Sequence, residues 1–193
     1  MELTRRVSLQ RPTRLDLTRL YDANAWYWDS LPHRISYGYA YIQLFKQLAR
    51  DGWLRGMSDT SKVLDCGIGA GLLTDALLRT ANKHFETYGI DLSQKLLLRA
   101  KAQLMLSGAV LRTVPGDIHS LPFRDGEMEM VLSALMLEHM PEPLDALREM
   151  IRVAKHGAPL GRPIGSIRKA WMSACKAAGV EGKLTSGAPP SET

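Results

Sequence analysis

The sequence predicts an α/β protein built on a doubly wound, mainly parallel sheet, and three observations carry that expectation. Short apolar runs alternate with stretches of helical periodicity in the order β-α-β-α-β-β-α. The first run ends in a glycine turn, Gly67-Ile68-Gly69-Ala70-Gly71, that opens directly into a helix. Acidic residues close successive runs: Asp65, Asp91 and Asp117. In open α/β sheets, the crevice beyond the strand ends is where ligands bind.

The first of these elements organises the rest. Val63 and Leu64 read as a short buried strand. Leu72, Leu73, Ala76 and Leu77 share one face of a helix running to about Ala81. Glycine at 67, 69 and 71 lets the backbone come close to a ligand. A dinucleotide fingerprint needs a further glycine three residues after the second one, and Leu72 stands there. An NAD-linked oxidoreductase is therefore disfavoured. Asp65 is a poor neighbour for a pyrophosphate and a good acceptor for an ammonium or an amide N–H.

At 193 residues and 45% hydrophobic composition, the chain is expected to form one domain with a sizeable core. No apolar run approaches the roughly 20 residues that span a bilayer, so no membrane partner is expected. The N-terminus is rich in Arg but lacks an apolar stretch, so no secretory signal is expected. Cys66 and Cys175 belong to no metal or redox spacing, which fits a cytoplasmic protein without a metal site. The net charge of +5 lies in the ends. Residues 1–20 hold five Arg against two acids, whereas residues 21–154 hold fourteen basic and sixteen acidic residues. A nearly neutral centre without a basic, aromatic-laced stripe makes nucleic acid an unexpected partner.

In chain order, residues 1–20 read as a basic flexible arm with helical spacing near Leu15–Leu20. Residues 21–60 form an N-terminal cap. It opens with the aromatic stretch from Tyr21 to Asp29, which either closes the core or forms a lid over a purine or a cationic sulfonium. Pro32 starts a helix to Arg50, with Ile35, Tyr41, Ile42, Phe45, Leu48 and Ala49 on its apolar side and Gly52 as its stop. His84 to Asp91 forms the second strand, and Ser93 caps a helix through Met105. Asp91 there suits the vicinal hydroxyls of a ribose, or serves as a second helix-capping acid. Val110 to Val114 forms the third strand, leading to Asp117 and Ile118. Met128 to Ala134 forms the fourth, followed by a helix from Pro141 with Leu144, Leu147, Ile151 and Ala154 as its stripe.

Together these residues resemble a known family. Val63-Leu64-Asp65-Cys66-Gly67-Ile68-Gly69-Ala70-Gly71 is similar to the first motif of class I S-adenosylmethionine-dependent methyltransferases. Tyr88-Gly89-Ile90-Asp91-Leu92-Ser93 resembles their second, and Gly116-Asp117-Ile118 through Leu121-Pro122-Phe123 their third. Val131-Leu132-Ser133 to Leu137-Glu138-His139-Met140, with Ala146 to Glu149 and Arg152-Val153, resembles the fourth-strand region. The closest flavour is the subgroup acting on small molecules, quinone-ring enzymes among them. The resemblance implies a Rossmann-like sheet, S-adenosylmethionine as cofactor and a small-molecule acceptor. It implies that Asp65, Gly67 and Gly69 hold the methionine portion, with Gly71 completing the turn. Asp91 would take the ribose, Leu92 would lie under the adenine, and Asp117 and Ile118 would meet its edge and face. Ser133 and Leu135 would line the methionine side, and Tyr21 and Trp28 would sit in the cap. Glu129 replaces the aspartate common before the fourth strand. No catalytic residue is implied; His139 is either structural or a base for an acceptor that must lose a proton.

The resemblance covers about residues 20–156 and then breaks. Where a fifth strand is expected, residues 157–165 hold three Gly and two Pro. From Arg162 to Val180 the chain resembles a fragment of a phage-type tyrosine recombinase, lacking that family's His-x-x-Arg motif and nucleophilic tyrosine. Residues 157–193 are thus expected to be a foreign tail with one helix over 166–179 and a disordered end. The sheet would then be incomplete, and its fourth strand an exposed edge open to self-association. The alternative to an enzyme is a truncated, non-catalytic cofactor-binding remnant or a partner-dependent subunit.

Overall fold

A computed structural model describes residues 13–140 and 142–155. Helix α1 (Arg14–Ala23) begins at a capping box in which Thr13 and Asp16 exchange hydrogen bonds. It thus spans the expected boundary between arm and cap. A short helix α2 (Ala25–Trp28) and the long α3 (Leu31–Arg50) complete the cap region. Strand β1 (Lys62–Cys66) leads through the glycine turn into α4 (Leu72–Ala81). Strand β2 (Glu86–Asp91), α5 (Gln94–Leu106) and β3 (Leu111–Pro115) follow. Strand β4 (Met130–Leu132), a 3-10 turn (Leu137–His139) and α6 (Pro143–Val153) end the described chain.

The four strands are all parallel, in the order β3-β2-β1-β4. The chain runs outward from β1 through β2 to β3, then returns to pair β4 with the other side of β1. That reversal puts the topological switch point at the carboxyl end of β1, where a crevice opens. Both faces of the sheet are covered, as a parallel sheet requires. Adjacent residues of β1 serve opposite faces: Val63 packs with Phe45, Leu73, Leu77 and Phe85, and Leu64 with Ile90, Met128, Met150 and Val153. Ile68, Leu97, Ala100, Leu104 and Leu111 make a third cluster beneath α5.

Several expected boundaries shift. β4 is only three residues long and leaves Ser133 and Ala134 outside it. α6 starts at Pro143, and its buried stripe is Ala146, Leu147, Met150 and Val153. Pro143 occupies the first turn, where a missing N–H costs nothing. Of the expected stripe, Leu147 and Ala154 are buried, while Leu144 and Ile151 are half-buried and Ala146, Met150 and Val153 are the further buried positions. Ile35, expected on the apolar side of α3, is 64% exposed; Phe45 is the residue that side buries. Met128 forms a parallel bridge with Ala154, its N–H donating to Val153 O and its carbonyl accepting from Lys155 N. Among the described residues, Met130–Leu132 pair only with β1. The recombinase-like run and the helix expected over 166–179 lie outside the described residues.

Candidate functional site

The crevice encloses about 1020 Å³, counting the space at its open mouth. Its floor comes from the strand ends. Asp65, in β1, is 1% exposed and accepts a 2.6 Å hydrogen bond from Thr74 Oγ1 in α4. Burial, and then the nearby charge of Asp91, push its carboxyl up to about 7 despite that bond. Asp91, the last residue of β2, accepts Ser93 N at 2.9 Å on one oxygen and Gly69 N at 3.0 Å on the other. Burial raises its proton affinity, those N–H groups oppose the rise, and Asp22 adds to it. Asp117, beyond β3, accepts the His119 backbone N–H at 3.0 Å and lies 2.7 Å from its Nδ1.

Two glycines of the turn have distinct reasons. Gly67 sits at φ +70°, and a Cβ there would lie 2.7 Å from Cγ of Met136, which closes over the turn. Gly71, at φ +86°, is the N-cap of α4, and a Cβ would come within 3.3 Å of the Ala100 Cβ and 3.2 Å of its Cα. Its smallness lets α4 and α5 approach. Leu135 also takes a left-handed φ, +58°, at the crevice edge after β4, a costly conformation for leucine and a mark of local strain.

The cap supplies an aromatic wall. His33, Tyr37 and Tyr41 lie four residues apart on α3 and face the crevice together with Trp28. Trp28 meets His33 and His139 edge-on, with centroids 5.6 and 5.8 Å away. Burial, with Asp65 and Tyr37 nearby, raises the Tyr41 hydroxyl to about 12, so it stays a neutral donor. The cap is tied to α5 by Asp22, which accepts from Ser93 Oγ, and by Asp29, which bridges Arg34 at 3.3 Å and Arg99 at 2.8 Å.

Of the expected site residues, Tyr21, Trp28, Asp65, Gly67, Gly69, Asp91, Leu92, Asp117, Ile118 and Leu135 line this one crevice. Gly71 and Ser133 do not line it; Ser133 Oγ is buried without a hydrogen-bond partner among the described residues. The N–H of Gly69 is already given to Asp91, so this residue offers the crevice space more than a donor. Sequence reasoning missed His33, Tyr37, Met136 and Met140 as lining, and Thr74 as the partner of Asp65. The four-residue recurrence of rings from His33 to Tyr41 was the available signal. No cluster that could hold a metal ion occurs among the described residues.

Comparison with known proteins turns this geometry into a family. Residues 64–160 match the family model described as a methyltransferase domain. The chain belongs to that family, as a class I methyltransferase fold. Its cofactor is S-adenosylmethionine. Ubiquinone/menaquinone biosynthesis C-methyltransferases of Burkholderia mallei and Burkholderia thailandensis are 35% identical over 96 residues, 50% of this chain and 40% of theirs. The chain thus spans less than half the length of the curated relatives it matches. Among solved structures, magnesium protoporphyrin IX methyltransferase of Synechocystis PCC 6803, determined with bound SAH, superposes with a TM-score of 0.56 at 19% identity. It covers 73% of this chain and 68% of its own. The 4+2 cyclase SpnF superposes with a TM-score of 0.62 at 19% identity, covering 87% and 72%. Both likenesses concern the fold.

The residues present fit the cofactor. Three carboxylates follow one another along the crevice, and the turn under it is kept open by glycine. Asp65 can accept an ammonium, and Asp91 has lone pairs left for ribose hydroxyls after its two backbone bonds. Leu92 and Ile118 offer apolar faces for a purine.

Proposed function

We propose that the chain carries out S-adenosylmethionine-dependent methyl transfer to a small, largely apolar acceptor. The observation that carries this reading is the convergence of Asp65, Asp91 and Asp117 on one crevice roofed by aromatic side chains. Bound S-adenosylmethionine supplies an already activated methyl group on a cationic sulfonium. In this reading Asp65 holds the amino-acid ammonium, Asp91 the ribose, and Asp117 with Ile118 the adenine. Trp28, Tyr37 and Tyr41 exclude water and hold the acceptor in line, which is most of what such chemistry needs. His33 and His139 both line the crevice edge-on to Trp28, and in this reading they take the proton of an acceptor hydroxyl. The quinone-biosynthesis relatives make a phenolic or quinol ring the first acceptor class to try.

A second reading has its own observation. Met130–Leu132 have no partner on their outer side among the described residues, and the chain spans 40% of its relatives. That favours a cofactor-binding remnant, or a subunit completed by a second copy or another chain along β4. Calorimetric titration with S-adenosylhomocysteine, beside Asp91→Ala, separates the outcomes. Binding lost in the variant, followed by methylation in an acceptor screen, supports the enzyme. Binding without turnover on any phenolic acceptor supports the remnant. A folded chain that does not bind removes both.

A further inference from the structure

Helix α3 presents two unlike faces. One carries His33, Tyr37 and Tyr41 into the crevice. The other carries Leu31, Ile35 and Tyr39 at the same spacing, with 68, 64 and 67% of their surfaces exposed. Trp26, in the short helix just before, is 63% exposed. Residues four apart adjoin on a helix surface, so these side chains form an apolar ridge where a soluble face would be polar. Along its twenty residues α3 holds no carboxylate. Its second half exposes Lys46 and Arg50, neither in an ion pair among the described residues. The sequence ahead of α1 adds Arg5, Arg6 and Arg11 against Glu2.

We propose that this face docks the protein on an anionic phospholipid surface. Leu31, Ile35, Tyr39 and Trp26 enter the boundary between headgroups and acyl chains, while Lys46 and Arg50 reach the phosphates. Aromatic and aliphatic side chains beside unpaired cations are the composition of a helix that lies in a membrane interface. A second copy fits this face less well. A two-fold contact through this face would cover Lys46 and Arg50 without offering them a carboxylate, because the facing α3 holds none. No described helix is long and apolar enough to cross a membrane, and a helix lying on the surface needs no such length. Docking sets α3, the helix whose opposite face lines the crevice, against the lipid. That the lipid also supplies an apolar acceptor rests on the acceptor reading above; the docking does not.

The test sediments the full chain, without cofactor, with vesicles of phosphatidylcholine alone and of phosphatidylcholine mixed with phosphatidylglycerol. The expected result is association with the anionic vesicles only, weakening as salt is raised. Ile35→Glu, at a side chain outside the crevice, is expected to lower partitioning at least about tenfold. Its circular dichroism and its S-adenosylhomocysteine affinity should match the parent, and Ile35→Leu should bind like the parent. A parent chain that stays in the supernatant with both vesicles overturns the proposal. So does an Ile35→Glu chain that binds undiminished, which assigns the effect to the basic arm. A dimer in sedimentation velocity that Ile35→Glu dissociates overturns it in favour of a second copy.

Discussion

Thr74 donates its hydroxyl to Asp65 across 2.6 Å, with both side chains sealed from solvent. The bond opposes the burial that pushes the Asp65 carboxyl up to about 7 from 3.8. Between those values the folded chain holds a proton that the unfolded chain has lost, so this group's contribution to stability falls as pH rises from about 4 to about 7. A cationic ligand reverses the preference by favouring the carboxylate. Affinity for S-adenosylmethionine is therefore expected to rise by roughly tenfold from about pH 6 to about pH 8 and then level off. Titration calorimetry across that range checks it; Asp65→Asn should bind weakly with a flat profile.

Removing the donor sharpens the same point. Thr74→Val leaves a buried carboxyl with a missing partner, at a cost of about 1–3 kcal/mol in denaturant unfolding. It should also move the pH midpoint for binding upward. A variant that loses stability while keeping its midpoint would separate the bond from the site.

Asp91 ties the glycine turn to the start of α5 through Gly69 and Ser93. Asp91→Asn preserves the shape but replaces one acceptor oxygen with a donor aimed at an N–H. Loss of S-adenosylhomocysteine binding by about tenfold or more is expected, with a smaller loss in thermal stability. Equal binding would move the ribose elsewhere.

Gly71 and Asp91 should fail in different ways. Gly71→Ala places a Cβ at positive φ and against the backbone of Ala100. It is expected to cost about 1–3 kcal/mol of stability, read from urea unfolding, while the surviving folded fraction binds normally.

Arg152 holds the segment that follows Ile118. Its guanidinium donates to Leu121 O at 3.0 Å, Phe123 O at 2.9 Å, Asp125 at 2.8 Å and Glu149 at 2.7 and 2.8 Å. Glu149 in turn accepts Leu121 N. Arg152→Lys cannot reproduce that planar fork, so it should lose about 1–3 kcal/mol despite keeping the charge.

The fold was legible because local signals agreed. Apolar runs, a glycine turn and the Ser93 cap each name one element, and the acids at 65, 91 and 117 mark one end of the sheet. What the sequence hid depended on approach between distant residues. Ile35 has the same spacing and hydropathy as a buried residue, and only the crossing of α3 over α4 decides which of its faces is covered. Gly71 reads as a ligand glycine until Ala100 is seen against it. Thr74 carries no sign that its hydroxyl turns inward to Asp65. The charged residues of the cap, Asp22 and Asp29, were equally silent, since their partners lie some seventy positions away.

Asp22 fastens the cap to Ser93 and, from there, lends its negative charge to Asp91. Such an influence is reciprocal. If a closed cap makes Asp91 hold its proton more tightly, then an ionised Asp91 pushes the cap away by the same free energy. An empty crevice with Asp91 ionised thus opposes its own lid, and a ligand whose hydroxyls cover the Asp91 carboxylate removes that opposition. Entry and closure become two sides of one equilibrium, in which the ligand need not touch the cap to shut it.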